Sequence, residues 1–397
     1  MLNTHSRNPL FKFAVLSISL VAMIAPAVAT TIPAIMAALP DLSPSSIGLL
    51  MSVPSLAILL FVFLAPFVIK ILGNKKTVML GLIITLVCGI LPFFTENFTV
   101  ILASRFGLGC GIGLFNSLAY SLIMINFEGD ERNQMLGFQG AFSSVGSMFG
   151  SLAVGWLLNL NWHASFMIYL IALIPIIAFG TFGPKDKVVD EVEKVNLPKE
   201  KAIIQPVVYF YALEIFFIFA TWMTIVFQLA TLYMERGIGT ASQASFVLAL
   251  NTLAGFLAGL IYGKIRSVLG NYTGIIALIF GGLILVGLGT VTSFLATVFL
   301  AITAGFLFSF INPFIFGEVA AVSSPASQNT ASTILLIGIN LGVFLNPYLI
   351  AFIGKVTGST AINVSMLVCG GLLLVLGLIN VLVIKSKKGK GSVKYDY

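Results

Sequence analysis

The chain has 397 residues, of which 58% are hydrophobic and 9% are Asp, Glu, Lys or Arg. A soluble globular protein carries about 45–50% apolar and about 25% charged residues, so this chain has too few polar side chains to cover its apolar ones in water. The composition excludes a soluble enzyme, a disordered protein and a disulfide-stapled secreted domain. Because the apolar runs are long and do not alternate with polar residues, they predict an all-α membrane protein.

Twelve apolar runs are long enough to cross a bilayer, which takes ~20 residues each. The predicted spans are about 12–37, 46–69, 77–95, 98–124, 134–159, 164–182, 207–233, 242–263, 272–291, 294–318, 328–353 and 361–384. The short break at Thr95, Glu96 and Asn97 predicts a tight turn. One long polar stretch divides the spans into two sets of six. We therefore predict a six-helix bundle over 1–182, a linker over 183–205, and a second six-helix bundle with a basic tail over 206–397.

The basic residues predict the orientation of these spans. With both termini in the cytoplasm, eighteen of the twenty-one Lys and Arg residues lie on the cytoplasmic side, as the positive-inside rule requires. Arg236 and Lys355 fall outside, and Arg105 lies within a span. The net charge of +7 is therefore explained by topology, and no nucleic-acid partner is needed. Membrane lipids are the expected contact of the basic tail.

Polar residues are concentrated on particular spans. The third, sixth, ninth and twelfth are nearly all apolar, whereas the fourth, fifth, seventh, tenth and eleventh carry amides and ionisable groups. Buried amides are costly unless they meet partners or water, so these faces are predicted to line a bundle interior or an aqueous cavity. The alternative is that each amide joins neighbouring helices. The candidate cavity-lining residues are Asn116, Tyr120, Gln139, Ser143, Tyr211, Thr221, Trp222, Gln228, Asn312 and Asn340.

Two ionisable residues, Arg105 and Glu214, lie well inside predicted spans and are not expected to touch each other. A carboxyl group in an apolar cavity can change its protonation state near neutral pH, so Glu214 is the candidate proton-coupling residue. The alternative is a fixed hydrogen-bonding or gating role. Arg105 is always charged, which makes it a candidate contact for a substrate or another anion. Structural support is its alternative role.

Several features together resemble the major facilitator superfamily. The six-plus-six layout around a charged loop is the first. Segment 66–76 resembles the family's loop after the second helix, although Pro66 and Lys70 replace that motif's first glycine and acidic residue. Segment 105–113, Arg-Phe-Gly-Leu-Gly-Cys-Gly-Ile-Gly, is similar to the R-x-x-x-G-x-G pattern of the fourth helix. Segment 161–166, Asn-Trp-His-Ala-Ser-Phe, enters the sixth helix much as the family's W-R-x-x-F does.

The resemblance implies a secondary transporter that moves a small molecule by alternating access, with protons as the coupling ion. The candidate cytoplasmic gate residues are Lys70, Gly73, Lys75, Lys76 and Glu318. The fifth helix keeps Gly146 and Gly150 but lacks the proline of the family's G-P-x-x-G-G drug-antiporter motif. Efflux of a lipophilic or amphipathic solute is nevertheless favoured, because the candidate lining is rich in aromatic residues. Uptake of a small organic anion held by Arg105 is the alternative.

A non-transporting membrane receptor or assembly protein is the alternative of another class. An enzyme is not expected, because the spans carry no catalytic cluster of His, Asp or Ser. We expect no cofactor and no metal, since His5 and His163 lie outside the spans and far apart in sequence. The compact chain resembles bacterial members of the family, which predicts a multi-pass monomer in the cytoplasmic membrane.

Overall fold

The computed structural model describes residues 9–127, 129–184, 204–324 and 327–389. Most of the predicted linker and the end of the basic tail lie outside these ranges. The helices are α1 (Pro9–Ala22), α2 (Ile32–Ala38), α3 (Pro44–Ile90), α4 (Phe98–Asn126), α5 (Gly129–Leu157), α6 (Leu173–Phe182), α7 (Pro206–Glu235), α8 (Ala241–Leu269), α9 (Tyr272–Thr290), α10 (Phe294–Phe308), α11 (Ile311–Val322), α12 (Gln328–Thr357) and α13 (Ile362–Gly389). Three 3-10 segments span Ala25–Thr31, Leu91–Phe94 and Ala164–Ala172. The described chain contains no strand.

Ten segments of the described chain are long and apolar enough to cross a membrane. One of them, Pro44–Phe94, has 51 residues. At ~1.5 Å per residue it is more than twice as long as the ~30 Å hydrocarbon core of a bilayer, so it accounts for two predicted spans. Helix α5 is not among the ten. The total of twelve spans therefore stays a prediction.

The predicted loop over 70–76 is wrong in extent, because α3 is interrupted within it at one residue only. Gly73 has φ 81° and ψ 171°, a backbone conformation that glycine adopts without steric cost. The chain reverses there, and helical structure resumes at once.

The predicted turn at 95–97 is confirmed. The side chain of Asn97 caps α4 by accepting hydrogen bonds from the backbone N–H groups of Thr99 (3.0 Å) and Val100 (3.3 Å).

Two predicted spans are interrupted close to a proline residue. The first consists of α1, a 3-10 segment and α2, and α1 ends at Ala22. The tenth is divided into α10 and α11 around Ser309 and Phe310. Proline explains both breaks, because Pro26 and Pro313 have no backbone N–H to donate to the carbonyl group four residues earlier.

We call α1–α6 the N-terminal half and α7–α13 the C-terminal half. The end of the bundle at which α6 ends and α7 begins is the linker end, and the opposite end is the far end. Because successive spans alternate in direction, the Gly73 kink and the ends of α8 and α11 lie at the linker end. The starts of α4, α8 and α10 lie at the far end.

Glycines allow close helix packing within the halves, as the spacing of Gly109 and Gly113 indicates. A Cβ atom added to Gly109 would lie 2.7 Å from Cβ of Ala57 and 2.8 Å from Cα of Pro54. One added to Gly140 in α5 would have no neighbour within 4 Å.

We expect Gly109→Ala to destabilise the protein by about 1–3 kcal/mol, because backbone atoms must move to admit the methyl group. Gly140→Ala is the matched control and should be neutral or stabilising, since alanine favours helix over glycine. Thermal unfolding of both variants in the same detergent measures the difference. Equal melting temperatures would contradict the close contact between α3 and α4.

Candidate functional site

The two halves touch at the far end. The hydroxyl groups of Thr30, in the first predicted span, and Ser245 of α8 are 2.5 Å apart. Ser242 of α8 donates a hydrogen bond to Oδ1 of Asn159, just beyond the end of α5 (2.8 Å). Gly155 allows α5 and α8 to approach each other closely here, because a Cβ atom added to it would lie only 2.8 Å from Cβ of Ser245. These contacts close the space between the halves at the far end.

Nearer the linker end, the same two helices carry glycines without close neighbours. Cβ atoms added to Gly137 and Gly140 of α5, or to Gly259 and Gly263 of α8, would meet no other atom within 4 Å. Helices α5 and α8 are thus in tight contact at the far end, and their surroundings are open toward the linker end.

Arg105 is fully buried in the N-terminal half and joins three other spans. Its Nε donates to the carbonyl oxygen of Leu50 (2.9 Å), Nη1 donates to the hydroxyl group of Tyr169 (2.6 Å), and Nη2 donates to the carbonyl oxygen of Ala25 (3.3 Å). In this conformation its guanidinium group presents no accessible surface to a solute.

The carbonyl group of Leu50 needs this donor because of the local sequence. In a helix, that carbonyl would accept from the N–H group of residue 54, which is Pro54 and has none. An unpartnered backbone group inside a membrane costs about 2–7 kcal/mol, because neither water nor lipid replaces the missing hydrogen bond. Arg105 therefore satisfies an acceptor that a proline leaves free in the adjacent helix.

Glu214 is buried in the C-terminal half near the linker end of α7. Asn380 of α13 donates from Nδ2 to its Oε1 (2.5 Å), and the buried Oε2 has no hydrogen-bond partner among the described atoms. As expected, Glu214 and Arg105 are held by different partners. Their partners, Asn380 and Tyr169, lie on the predicted twelfth and sixth spans, so these nearly apolar spans also supply functional hydrogen-bond partners.

A second polar cluster lies at the linker end of the C-terminal half. Arg266, at the end of α8, forms an ion pair with Glu318 of α11 (2.5 Å) and lies over the ring of Phe314 at 4.7 Å from its centroid. The hydroxyl group of Tyr211 in α7 donates to the other oxygen of Glu318 (3.4 Å). This cluster therefore connects the linker ends of α7, α8 and α11 within the C-terminal half.

The remaining gate candidates lie around the Gly73 kink. Nζ of Lys75 donates to the carbonyl oxygen of Gly180 (2.9 Å), which lies in the last turn of α6. A cation is favourable at that position because the carbonyl groups at a helix C-terminus carry partial negative charge. Lys70 and Lys76 are exposed.

The structure separates the cavity-lining candidates into two groups. Thr221, Trp222, Gln228, Tyr211 and Gln139 are buried. Trp222 stacks on Phe308 of α10 with ring centroids 4.9 Å apart, which places it inside the C-terminal half. The half-buried candidates are Asn116, Ser143, Asn312 and Asn340, and the side chain of Tyr120 lies outside the described residues.

Two of these side chains have unused hydrogen-bond acceptors. Oδ1 of Asn312 and Oε1 of Gln139 are buried and have no partner among the described atoms. By contrast, Asn340 donates to the carbonyl oxygen of Leu336 within its own helix (2.9 Å). Asn312 is therefore a half-buried candidate whose acceptor oxygen is itself buried and unused among the described atoms.

Sequence reasoning missed a polar cluster between α7, α12 and α13. Asn346 is fully buried and donates to the carbonyl oxygen of Ala220 (2.7 Å) and to the hydroxyl group of Thr224 (2.9 Å). That hydroxyl lies 3.5 Å from the thiol of Cys369. The sequence does mark Asn346 as unusual, because it is an amide directly before Pro347 inside an apolar run. Its contacts with Ala220 and Thr224 could not be predicted, because only the fold brings these distant residues together.

Comparison with known proteins decides the family. The family model described as Major Facilitator Superfamily matches residues 14–317, which is most of the chain. The chain belongs to the major facilitator superfamily. It is accordingly a multi-pass membrane transporter and not an enzyme, as the sequence predicted. No curated protein is significantly similar to it in sequence.

Solved structures of the superfamily share its fold. The nucleoside transporter NupG superposes with a TM-score of 0.77 at 17% identity, covering 94% of this chain and 99% of that one. A peptide transporter, POT, gives a TM-score of 0.77 at 13% identity, with coverage of 95% and 94%. The POT family transporter PepTSo gives 0.75 at 13% identity, with coverage of 96% and 99%. At these identities the likeness extends to the fold alone.

Proposed function

We propose that this superfamily member is a proton-coupled secondary transporter of the cytoplasmic membrane, that it acts as a monomer, and that it works by alternating access. The contacts at the far end and the open surroundings of α5 and α8 toward the linker end support a conformation that is open on one side. By the positive-inside rule the linker end is cytoplasmic, which makes this conformation inward-facing.

The observation that carries proton coupling is the environment of Glu214. Asn380 satisfies one carboxyl oxygen, whereas the other is buried without a partner among the described atoms. A buried carboxylate with an unpartnered oxygen costs free energy, and binding a proton removes the charge. The Glu214 site is therefore suited to hold a proton that arrives from the far end, and efflux by antiport requires this proton to leave to the cytoplasm when water reaches the carboxyl group from the linker end.

We favour efflux of a lipophilic or amphipathic solute. The half-buried polar candidates are few, and one of them, Asn340, bonds to its own helix. Such a lining suits a largely apolar solute that needs one or two polar contacts, and Asn312 offers one. Uptake of an organic anion on Arg105 gains no support, because that guanidinium group is fully buried and bonded to two carbonyl groups and a tyrosine.

Transport by purified protein in proteoliposomes tests the proposal. A pH gradient should drive accumulation of labelled lipophilic solutes by the wild-type protein. Glu214→Gln keeps the size of the side chain and its ability to form hydrogen bonds, but it cannot bind and release a proton. We therefore expect this variant to lower gradient-driven accumulation of the solute by at least about tenfold. Solute exchange without a gradient should persist.

Glu96→Gln is the matched control, since Glu96 is an exposed carboxylate at the far end, and it should behave as the wild type. Full gradient-driven accumulation by Glu214→Gln would refute proton coupling through this residue. Absence of accumulation for every lipophilic solute in a broad panel of dyes and metabolites would contradict the proposed class of solute.

A further inference from the structure

A groove between α1 and α5 opens at the linker end, apart from the sites described above. It encloses about 290 Å³ and is lined by Lys12, Phe13 and Leu16 of α1 and by Glu131, Phe138 and Phe142 of α5, among others. This volume is just below the ~300–1,000 Å³ typical of small-molecule sites. The groove can therefore hold a polar group and the first part of an attached chain.

The groove faces the surrounding membrane. Phe138, Val145, Phe149 and Trp156 recur at helical spacing along one stripe of α5 and are exposed, Trp156 to 67%. Trp156 lies at the far end, where the halves are in contact, so an exposed side chain there points away from the space between them. Phe138 belongs to the same stripe, and the groove beside it is accessible to lipid.

An ion pair lies at the rim of this apolar groove. Nζ of Lys12 is 2.6 Å from Oε1 of Glu131, and the two side chains are 34% and 39% exposed. Both residues lie in the first turns of their helices, at the depth where a spanning helix leaves the hydrocarbon. The site thus presents one ammonium and one carboxylate group at headgroup level, above aromatic side chains at acyl-chain level.

We propose that this groove binds a phospholipid whose headgroup carries both a phosphate and a primary ammonium group, as phosphatidylethanolamine does. The phosphate accepts hydrogen bonds from Lys12, and the lipid ammonium donates to Glu131, so each charge of the pair meets an opposite charge. One acyl chain lies along Phe13, Phe138 and Phe142. A trimethylated choline headgroup cannot donate to Glu131, and a glycerol headgroup offers no cation.

Native mass spectrometry of the full-length protein, released from vesicles with equal amounts of three lipids, tests this site. Phosphatidylethanolamine should be retained about fivefold over phosphatidylcholine and phosphatidylglycerol, a ratio suited to charge-assisted hydrogen bonds at a partly exposed site. Lys12→Met and Glu131→Gln should each remove this preference. The exchange Lys12→Glu with Glu131→Lys should keep it, because both charges remain at the rim.

Lys355→Met combined with Glu96→Gln is the matched control, because it removes one exposed lysine and one exposed glutamate at the far end, and it should retain the wild-type preference. Melting temperatures in phosphatidylcholine show whether each variant is folded. Equal retention of the three lipids by the wild type, preference for phosphatidylglycerol, or unchanged preference in both single variants would each overturn the proposal. The readout is binding, so it is independent of whether transport is proton-coupled.

Discussion

A disulfide bond that joins the two halves at the far end should abolish transport. Thr30 and Ser245 belong to different halves, and their hydroxyl oxygens are 2.5 Å apart. Cysteines at these positions should have their Cβ atoms within the ~3.5–4.5 Å that a disulfide bond requires. The bond would hold the far end closed, so the solute site could open only toward the linker end.

We expect Thr30→Cys with Ser245→Cys, in a chain whose three native cysteines are replaced by serine, to lose transport by about tenfold or more on oxidation, because a carrier held in one conformation cannot complete its cycle. Reduction should restore transport. The matched control crosslinks one half internally, in a chain that keeps Cys369 and has only Cys88 and Cys110 replaced by serine: Thr224→Cys is paired with Cys369, whose sulfur lies 3.5 Å from the Thr224 hydroxyl. That bond should leave transport nearly unchanged. Full transport by the oxidised Thr30–Ser245 variant would contradict movement at the far end.

Replacing Arg105 by leucine should destabilise the folded protein as well as impair transport. The change leaves the carbonyl groups of Leu50 and Ala25 without their donor and the Tyr169 hydroxyl without its partner. Each unsatisfied buried group costs about 1–3 kcal/mol, so we expect a total loss of about 3 kcal/mol or more. Arg105→Lys should recover little, because an ammonium group cannot reproduce the planar fork of donors.

Thermal unfolding in detergent distinguishes this supporting role from an anion-binding role. Arg236→Leu is the comparison, because Arg236 also donates to two backbone carbonyl groups but is only half-buried. It should lower the melting temperature much less than Arg105→Leu does. If Arg105→Leu melts at the wild-type temperature and only transport is lost, Arg105 serves the solute and not the fold.

Hydrophobic run length predicted the fold well because a bilayer imposes a nearly fixed length on every spanning helix. Charge counting likewise singled out Arg105 and Glu214, since ionisable residues within spans are rare. Neither hydrophobic run length nor charge counting identifies the hydrogen-bond partners of these two residues. Tyr169 and Asn380 lie in mostly apolar runs and are separated from their partners by 64 and 166 positions.

The direction in which the side chains of α7 point also could not be predicted from the sequence. A polar or aromatic stripe on α7 can face the space between the halves or another helix of its own half. The structure turns Trp222 toward Phe308 and Glu214 toward Asn380, both within the C-terminal half. Periodicity fixes which residues share a helix face, but the neighbour of that face depends on how the helices pack.

The central claim, that the two halves alternate between closure at the far end and closure at the linker end, is tested most directly by distances between spin labels. One pair at Asn159 and Ser242 reports on the far end, and a second at the exposed residues Ile71 and Val268 reports on the linker end. On acidification or addition of a transported solute, we predict that a population appears in which the far-end distance lengthens while the linker-end distance shortens. Two distance distributions that stay unchanged under every condition, in protein that still transports, would contradict alternating access by these halves.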